Sequence, residues 1–171
     1  MFFIKDDNFL SDLSKRYIRQ CFLNVGFPYY YGDELIINSG EHIPFLAHVI
    51  KKRDDDLINS DCYQDCVNMV TEFTVKHKIE YTEILRMAVN FTYPNGFEKC
   101  PVHQDHPFPH KQLIIYLNNP KDKSAKTVIL DKKERYEIEP AQFRGICFEN
   151  KPHFQYFPKE GERIILITTF R

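Results

Sequence analysis

The second half of the sequence is a succession of short segments rich in β-branched and aromatic residues, separated by turns rich in Pro, Gly, Asn and Lys. Segments of this kind predict β-strands. The predicted strands cover residues 81–93, 102–105, 113–117, 127–130, 136–138, 143–148, 153–157 and 163–170. Because no helical pattern separates them, the eight strands predict a closed or double-sheet β structure rather than an alternating βαβ fold.

A first helical pattern precedes these strands near the N-terminus. Apolar residues recur at three- and four-residue steps from 9 to 22, which is the spacing of one helix face. Asp7 and Asn8 stand before this stretch as candidate N-caps, and we expect the helix to end near Gly26.

A second helical pattern places apolar residues from 57 to 73 on one side and predicts a helix that ends by Lys78. Two helices followed by strands favour an α+β fold. We therefore expect a jelly-roll barrel, also called a double-stranded β-helix, over residues 81–171, supported by helices in residues 1–80. A chain of 171 residues is long enough for one core, so 1–171 is predicted to be a single domain.

Composition excludes several classes of function. Lys and Arg total 23 and Asp and Glu total 24, so the formal net charge is −1 and gives no sign of a general binder of phosphate backbones. The five Cys are an odd number without regular pairing, which favours a reducing compartment. No apolar run approaches membrane-spanning length and the N-terminus turns acidic early, so we expect a cytoplasmic protein without a membrane partner.

The pair His103 and Asp105 is the first candidate for chemistry. On an extended strand, residues two apart point to the same face, so the imidazole and the carboxylate form a two-ligand claw for a metal. A pair of this kind also arises by chance, but His153 and Arg163 further along the chain strengthen its interpretation as part of a metal site. Two His and one carboxylate on one face of an ion leave the opposite positions open, as Fe(II) oxygenases require.

Arg163 begins an apolar strand that is expected to be covered on both faces, where a charge is costly unless it is paired. A guanidinium matches a carboxylate through two parallel hydrogen bonds, so this residue suits the far end of a dicarboxylate cosubstrate. The alternatives are an internal salt bridge to Asp or Glu, or a position near the strand end from which the side chain reaches water.

A wider set of motifs surrounds these four residues. It comprises Phe27-Pro28-Tyr29-Tyr30-Tyr31, Tyr93-Pro94-Asn95-Gly96, His103-Gln104-Asp105, Ile115-Tyr116-Leu117-Asn118, Thr127, Glu139-Pro140, Phe148, His153 and Arg163. Over most of its length the chain thus resembles the prolyl 4-hydroxylase-like 2-oxoglutarate- and Fe(II)-dependent oxygenases, including small members found in bacteriophage genomes. The resemblance places the protein in the cytoplasm of a bacterial or phage-infected host cell.

The resemblance implies a reaction that couples decarboxylation of 2-oxoglutarate to hydroxylation of a substrate C–H bond, with ascorbate allowed as a reductant. Fe(II) would be held by His103, Asp105 and His153, and 2-oxoglutarate by Arg163 with Tyr93 and Tyr116. A peptide prolyl residue or a small molecule is the favoured substrate, and the protein is expected to be a monomer or homodimer. Ile165 stands where many members carry a small hydroxyl residue, so a further hydrogen bond to the cosubstrate must come from elsewhere.

Three other functions stay open. A nucleic-acid demethylase would share the chemistry, but the near-neutral charge and the lack of an evident aromatic pocket for a flipped base disfavour it. A non-catalytic, metal-holding jelly roll would not need Arg163. Zinc-dependent hydrolysis by residues 103–106 leaves the same Arg without a role.

Several other polar or aromatic residues have weaker assignments. His106 and His110 are either substrate contacts or ordinary polar loop residues, and the second interpretation is favoured. Tyr29 to Tyr31 would line a substrate entrance or, more simply, pack under the first helix. Cys62 and Cys66 are expected to be small apolar helix residues rather than metal ligands, and the charged run 51–56 is expected to be a solvated loop.

Overall fold

The computed structural model describes residues 2–36, 40–53 and 57–171, and within them the chain forms two helices and ten strands. The helices are α1 (Asp12–Gln20) and α2 (Tyr63–Lys76). The strands are β1 (Phe3–Asp6), β2 (Tyr30–Gly32), β3 (Phe45–Lys51), β4 (Ile84–Thr92), β5 (Lys111–Tyr116), β6 (Thr127–Asp131), β7 (Glu134–Ile138), β8 (Gly145–Glu149), β9 (His153–Gln155) and β10 (Arg163–Phe170).

The strands form two antiparallel sheets. The main sheet has seven strands in the order β1-β8-β5-β10-β4-β3-β2, and the minor sheet has three in the order β7-β6-β9. An isolated bridge between His103 and His153 adds one further contact at the free edge of β9. The predicted α+β fold with a double-stranded β-helix is therefore confirmed.

Strand β10 shows how the sequence separates the two sides of the main sheet. Ile165 and Ile167 belong to the cluster of buried side chains that the two sheets share, whereas Ile164 and Leu166 belong to the cluster that the helices cover. Alternation along a strand sends successive side chains to opposite faces, so an unbroken apolar run satisfies both sides. All eight residues of β10 are buried, and the strand forms the centre of the main sheet.

Helix α1 is shorter than its apolar pattern predicted and has a different cap. Ser11 is the N-cap, and its Oγ accepts a hydrogen bond from the backbone N–H of Ser14 at 3.2 Å. The expected cap Asp7 instead accepts two hydrogen bonds from Arg144, at 2.6 and 2.7 Å. The helix ends at Gln20, before the expected Gly26, and no helix in the described ranges is long and apolar enough to cross a membrane.

Helix α2 ends where the sequence predicted, but it begins later. Ile58, which was expected on the helix, forms an isolated bridge with Lys51, and its side chain is half exposed. The first helical residue is Tyr63, preceded by Cys62 at the N-cap position, and Cys66 is buried within the helix. The start of the apolar pattern thus pairs with the end of β3 and does not belong to the helix.

The expected division between helices in 1–80 and strands in 81–171 is wrong, because three strands before residue 80 belong to the main sheet. β1 pairs with β8 at one edge, and β3 and β2 follow β4 at the other. Short strands of this kind cover edges that would otherwise expose unpaired backbone groups. Conversely, the predicted strand 102–105 is reduced to the single bridge at His103.

Candidate metal centre

A cavity lies between the two sheets and contains most of the polar side chains singled out by the sequence. Its volume is about 700 Å³ including the open mouth. Its walls come from β4, β5, β6, β9 and β10 together with residues 100–105, and His103, Asp105, His153 and Arg163 all line it. The fold therefore brings four distant positions of the chain to one place.

The three candidate ligands form one compact group. One ligand atom from each of His103, Asp105 and His153 lies within 4.8 Å of the others, and within the described ranges they are the one group of this kind. The backbones of the two His exchange hydrogen bonds of 3.0 and 2.9 Å, which holds them side by side. Ligand bonds of about 2.0–2.2 Å to one ion are compatible with this spacing.

Backbone carbonyls orient both imidazoles. His103 Nδ1 lies 3.0 Å from the carbonyl of Pro101, and His153 Nδ1 lies 2.9 Å from that of Lys151. A carbonyl only accepts, so each Nδ1 carries a proton, and in the neutral ring Nε2 then presents its lone pair. Both rings are thereby prepared to bind a metal through Nε2.

The protonation states of the ligands are also suitable. Burial, followed by the charge of His153, lowers the pKa of His103 to about 4. Burial alone would raise the pKa of Asp105, but the charges of His153, Arg86, His103 and Arg53 lower it to about 2. At neutral pH the site therefore holds a neutral His103 imidazole and an Asp105 carboxylate, the forms that bind metal ions.

Two arginines share one oxygen of Asp105. Arg53 donates to Oδ1 at 3.1 Å and also to the backbone carbonyl of Asp105, and Arg86 donates to Oδ1 at 3.3 Å. The other oxygen, Oδ2, is buried without a hydrogen-bond partner. The expectation that the charged run 51–56 is a solvated loop is wrong for Lys51, which is buried at the end of β3, and for Arg53, whose side chain is 25% exposed. Asp54 to Asp56 lie outside the described residues.

Arg163 lies in the wall of the same cavity and is 1% exposed. Its guanidinium donates to the Thr127 hydroxyl at 2.7 Å and to the side-chain oxygen of Gln155, and it lies over the ring of Tyr116 at 5.2 Å. Its Nε has no partner, and in the described parts of the chain no carboxylate pairs with it. The internal salt bridge considered from the sequence is thus not found there.

The structure separates the two tyrosines that were expected beside the cosubstrate. Tyr116 is fully buried, and its hydroxyl lies 2.6 Å from the Thr127 hydroxyl, one side chain away from the cavity. Tyr93 is not among the residues that line the cavity, and its assignment to the cosubstrate stays a prediction. Asn90 of β4 lines the cavity, whereas Tyr93 follows the end of that strand at Thr92.

Sequence reasoning missed several polar residues of the cavity wall. Asn90 and Gln112 are buried, and each has a side-chain oxygen without a hydrogen-bond partner. The amide of Gln112 lies 3.3 Å from His153 Nε2. A polar residue inside an otherwise apolar strand was the available signal for both, because burying an unpaired amide is costly and therefore points to a site.

The remaining candidates lie outside the cavity. His106 and His110 are buried, with ring nitrogens near the Thr169 hydroxyl at 2.8 Å and the Phe108 carbonyl at 2.9 Å, and neither lines the cavity. Tyr29 packs against aromatic neighbours and donates to the Phe22 carbonyl, whereas Tyr30 and Tyr31 are exposed on β2.

Solved structures share this arrangement of sheets and helices. The chain is similar to an oxidoreductase of the 2OG-Fe(II) oxygenase family from Burkholderia pseudomallei, with a TM-score of 0.77 and 14% identity over 98% of this chain and 84% of that one. It is also similar to a Pseudomonas putida prolyl-4-hydroxylase, with a TM-score of 0.66 and 16% identity over 99% and 91% of the two chains. The chain has the fold of the 2-oxoglutarate/Fe(II) oxygenases.

A third neighbour with this oxygenase fold is a viral collagen prolyl hydroxylase from Paramecium bursaria Chlorella virus-1, with a TM-score of 0.62 and 17% identity over 100% of this chain and 96% of that one. No family model and no curated protein matches the sequence. In this chain the oxygenase fold brings His103, at the edge of the minor sheet, towards Arg163 at the start of the central strand of the main sheet.

Proposed function

We propose that residues 1–171 act as a single 2-oxoglutarate/Fe(II)-dependent oxygenase domain that hydroxylates a substrate C–H bond. The observation that carries this proposal is Arg163, a buried guanidinium that has only neutral partners in the described ranges and lines the same cavity as a three-ligand cluster. A buried charge without an opposite charge is costly, so this position fits an anionic ligand.

The donor set fits Fe(II). His103 and His153 offer Nε2 lone pairs, and the unpartnered Oδ2 of Asp105 lies 3.5 Å from Nε2 of His153. Two imidazoles and one carboxylate with open positions are the ligand type of non-haem Fe(II) oxygenases. A metal ion would satisfy the buried carboxylate oxygen that has no other partner.

The wall around Arg163 fits the distal carboxylate of 2-oxoglutarate. The guanidinium provides charge and several N–H donors, and the Thr127 hydroxyl beside it provides the hydrogen bond that Ile165 cannot supply. Tyr116 packs beneath the guanidinium and fixes its plane. Together these residues would bind and orient the cosubstrate.

When bound, Fe(II) supplies the oxygen-activating chemistry that couples cosubstrate decarboxylation to substrate oxidation. The chain itself provides position and environment. Ile114, Ile165 and Ile167 line the cavity and exclude water from it, while Asn90 and Gln112 offer unpaired amide oxygens to bound molecules.

The substrate proposal is based on the prolyl hydroxylases among the structural neighbours. A peptide prolyl residue or a small molecule is favoured, and ascorbate is proposed as the reductant that keeps iron in its divalent state. In the described lining, Phe154 is the one aromatic residue besides the two histidines, which gives little support to stacking of a flipped base.

The test is titration of the anaerobic, Fe(II)-loaded protein with 2-oxoglutarate by calorimetry, followed by measurement of succinate formation in air. We expect saturable binding and slow succinate formation in the wild type, and neither in Asp105→Ala. Binding without succinate, tested with a panel of peptides and small acids, would favour a non-catalytic jelly roll. Absence of 2-oxoglutarate binding would contradict the proposal altogether.

A further inference from the structure

Two guanidiniums, those of Arg53 and Arg86, contact Asp105 in the candidate metal centre. Arg86 extends from β4 and Arg53 from the segment after β3, and both line the cavity. They meet at the same oxygen of Asp105, with distances of 3.3 Å for Arg86 and 3.1 Å for Arg53. Neither contacts the residues around Arg163 in the described hydrogen bonds.

One carboxylate oxygen cannot accept hydrogen bonds from all the N–H groups of two guanidiniums. Each guanidinium has five N–H groups in a fixed plane. Arg86 donates to Oδ1 alone among the described contacts, and the Nε of Arg53 is buried without a partner. A single arginine would be sufficient to orient a ligating carboxylate, so the second guanidinium is available for another acceptor.

The charges of the cavity lead to the same conclusion. Its described lining contains three arginines and one carboxylate, Asp105. A divalent metal adds positive charge, and the two carboxylates of 2-oxoglutarate would balance that addition but not the excess of guanidinium. The side chains of Arg86 and Arg53 are only 19% and 25% exposed, so solvent screens this excess poorly.

We infer that Arg86 and Arg53 bind an anionic oxygen group of the substrate, a carboxylate in the first instance, and hold the carbon to be oxidised beside the metal centre. The inference rests on the proposed function, because it assigns the substrate side of that same site. Both arginines line the same cavity as the candidate metal ligands. The carboxylate belongs either to a small free acid or to a peptide end.

The test uses anaerobic protein loaded with Fe(II) and saturated with 2-oxoglutarate, so that binding is measured without turnover. The probes are N-acetyl-L-proline and N-acetyl-L-prolinamide, which have the same ring and differ in charge. We expect the acid to bind at least about tenfold more tightly than the amide, as measured by calorimetry. A tetrapeptide ending in proline, with a free or an amidated C-terminus, distinguishes the peptide source from the free acid.

Matched variants assign the effect to the two arginines. Arg86→Gln and Arg53→Gln should each reduce the preference for the acid over the amide to about twofold or less, with both probes measured on the same variant loaded with Fe(II) and 2-oxoglutarate. Arg16→Gln on the exposed surface of α1 removes the same charge and should leave the preference unchanged. Arg86→Lys keeps the charge and should retain part of the preference.

The outcomes separate this inference from the proposed function. If 2-oxoglutarate binds but acid and amide bind equally, or neither probe binds, the anion subsite is overturned and the oxygenase proposal stands. If 2-oxoglutarate does not bind, the proposed function itself fails. Should the glutamine variants not fold, the comparison of acid with amide in the wild type and in Arg86→Lys still decides the question.

Discussion

Asp105 divides its two carboxylate oxygens between different tasks. Oδ1 accepts hydrogen bonds from Arg53 and Arg86, whereas Oδ2 faces His153 and has no hydrogen-bond partner of its own. The residue therefore compensates buried charge and also presents a free donor atom to a metal. Its removal should affect folding as well as metal binding, which distinguishes it from His103.

A first prediction compares Asp105→Ala with His103→Ala in the absence of metal. Losing the carboxylate leaves two partly buried guanidiniums without their partner, so the free energy of unfolding should fall by about 3 kcal/mol. Losing the His103 ring removes no described ion pair and should cost less than half as much. Urea denaturation of both variants measures the difference, and equal losses would show that the arginine contacts do not stabilise the fold.

A second prediction concerns Arg163. Arg163→Leu should leave Fe(II) affinity nearly unchanged but weaken 2-oxoglutarate binding by about 2–5 kcal/mol, the usual cost of truncating one member of a buried charge pair. Arg163→Lys should restore only part of this loss, because a point charge cannot form two parallel hydrogen bonds. Calorimetric titration of the anaerobic protein is the measurement. Arg135→Leu, on β7 with a half-exposed side chain, is the control, and unchanged binding by Arg163→Leu would refute the assignment.

The sequence was informative at the residue scale where chemistry depends on local spacing. His103 and Asp105 are two residues apart, and Arg163 opens an apolar strand, so both features were visible without a structure. Arg86 and Asn90 were not recognised, because their convergence on the cavity depends on which face of β4 turns inward.

At the scale of elements, Gly145 fixes how closely α2 approaches the main sheet. A Cβ at this position would lie 2.6 Å from a ring atom of Phe9 and 2.8 Å from one of Phe73. These two rings pack edge to face and form part of the cluster between the helices and the sheet. The absence of a side chain at the start of β8 therefore allows the helical layer to lie directly on the strands.

A third prediction follows from this contact. Gly145→Ala should lower the free energy of unfolding by about 1–3 kcal/mol, the usual cost of overpacking a core. Gly26→Ala is the matched control, because the nearest atom to its added Cβ is Asn24 Oδ1 at 3.5 Å, an ordinary contact. Thermal denaturation of both variants checks the expectation, and a neutral Gly145→Ala would mean that the two rings move apart at no cost.

Prediction of elements succeeded for three buried strands in the second half of the chain. The predicted segments 113–117, 127–130 and 163–170 correspond to β5, β6 and β10 with shifts of at most two residues. Prediction failed for the edge strands β1 and β2, which have four and three residues and too few positions to show a period. Their formation depends on backbone partners supplied by β8 and β3, which no local pattern reveals.

At the scale of the whole molecule, the candidate site connects the two sheets. His153 belongs to the minor sheet and Arg163 to the main sheet, and the cavity lies between them. Ligands that bind both walls should therefore stabilise the complete barrel, because anything that binds only the folded state shifts the unfolding equilibrium.

A fourth prediction uses this linkage. Fe(II) and 2-oxoglutarate together, each at a concentration about 100-fold above its dissociation constant, should stabilise the protein by at least about 2.7 kcal/mol, which raises Tm by roughly 5–10 °C. Anaerobic thermal denaturation measures the shift. In Arg163→Leu the rise in Tm caused by Fe(II) should remain and the further rise caused by 2-oxoglutarate should disappear. A full increment from 2-oxoglutarate in that variant would place the cosubstrate elsewhere.

The central position of β10 also constrains the order of events during translation. This strand lies between β4 and β5, yet it is the last of the ten to leave the ribosome. Until it emerges, the nascent chain holds β4 and β5 with unpaired edges and an uncovered apolar surface, the condition in which chains associate wrongly. Completion of the main sheet must therefore wait for β10, and binding by a chaperone is of most use to this protein in the interval before β10 inserts.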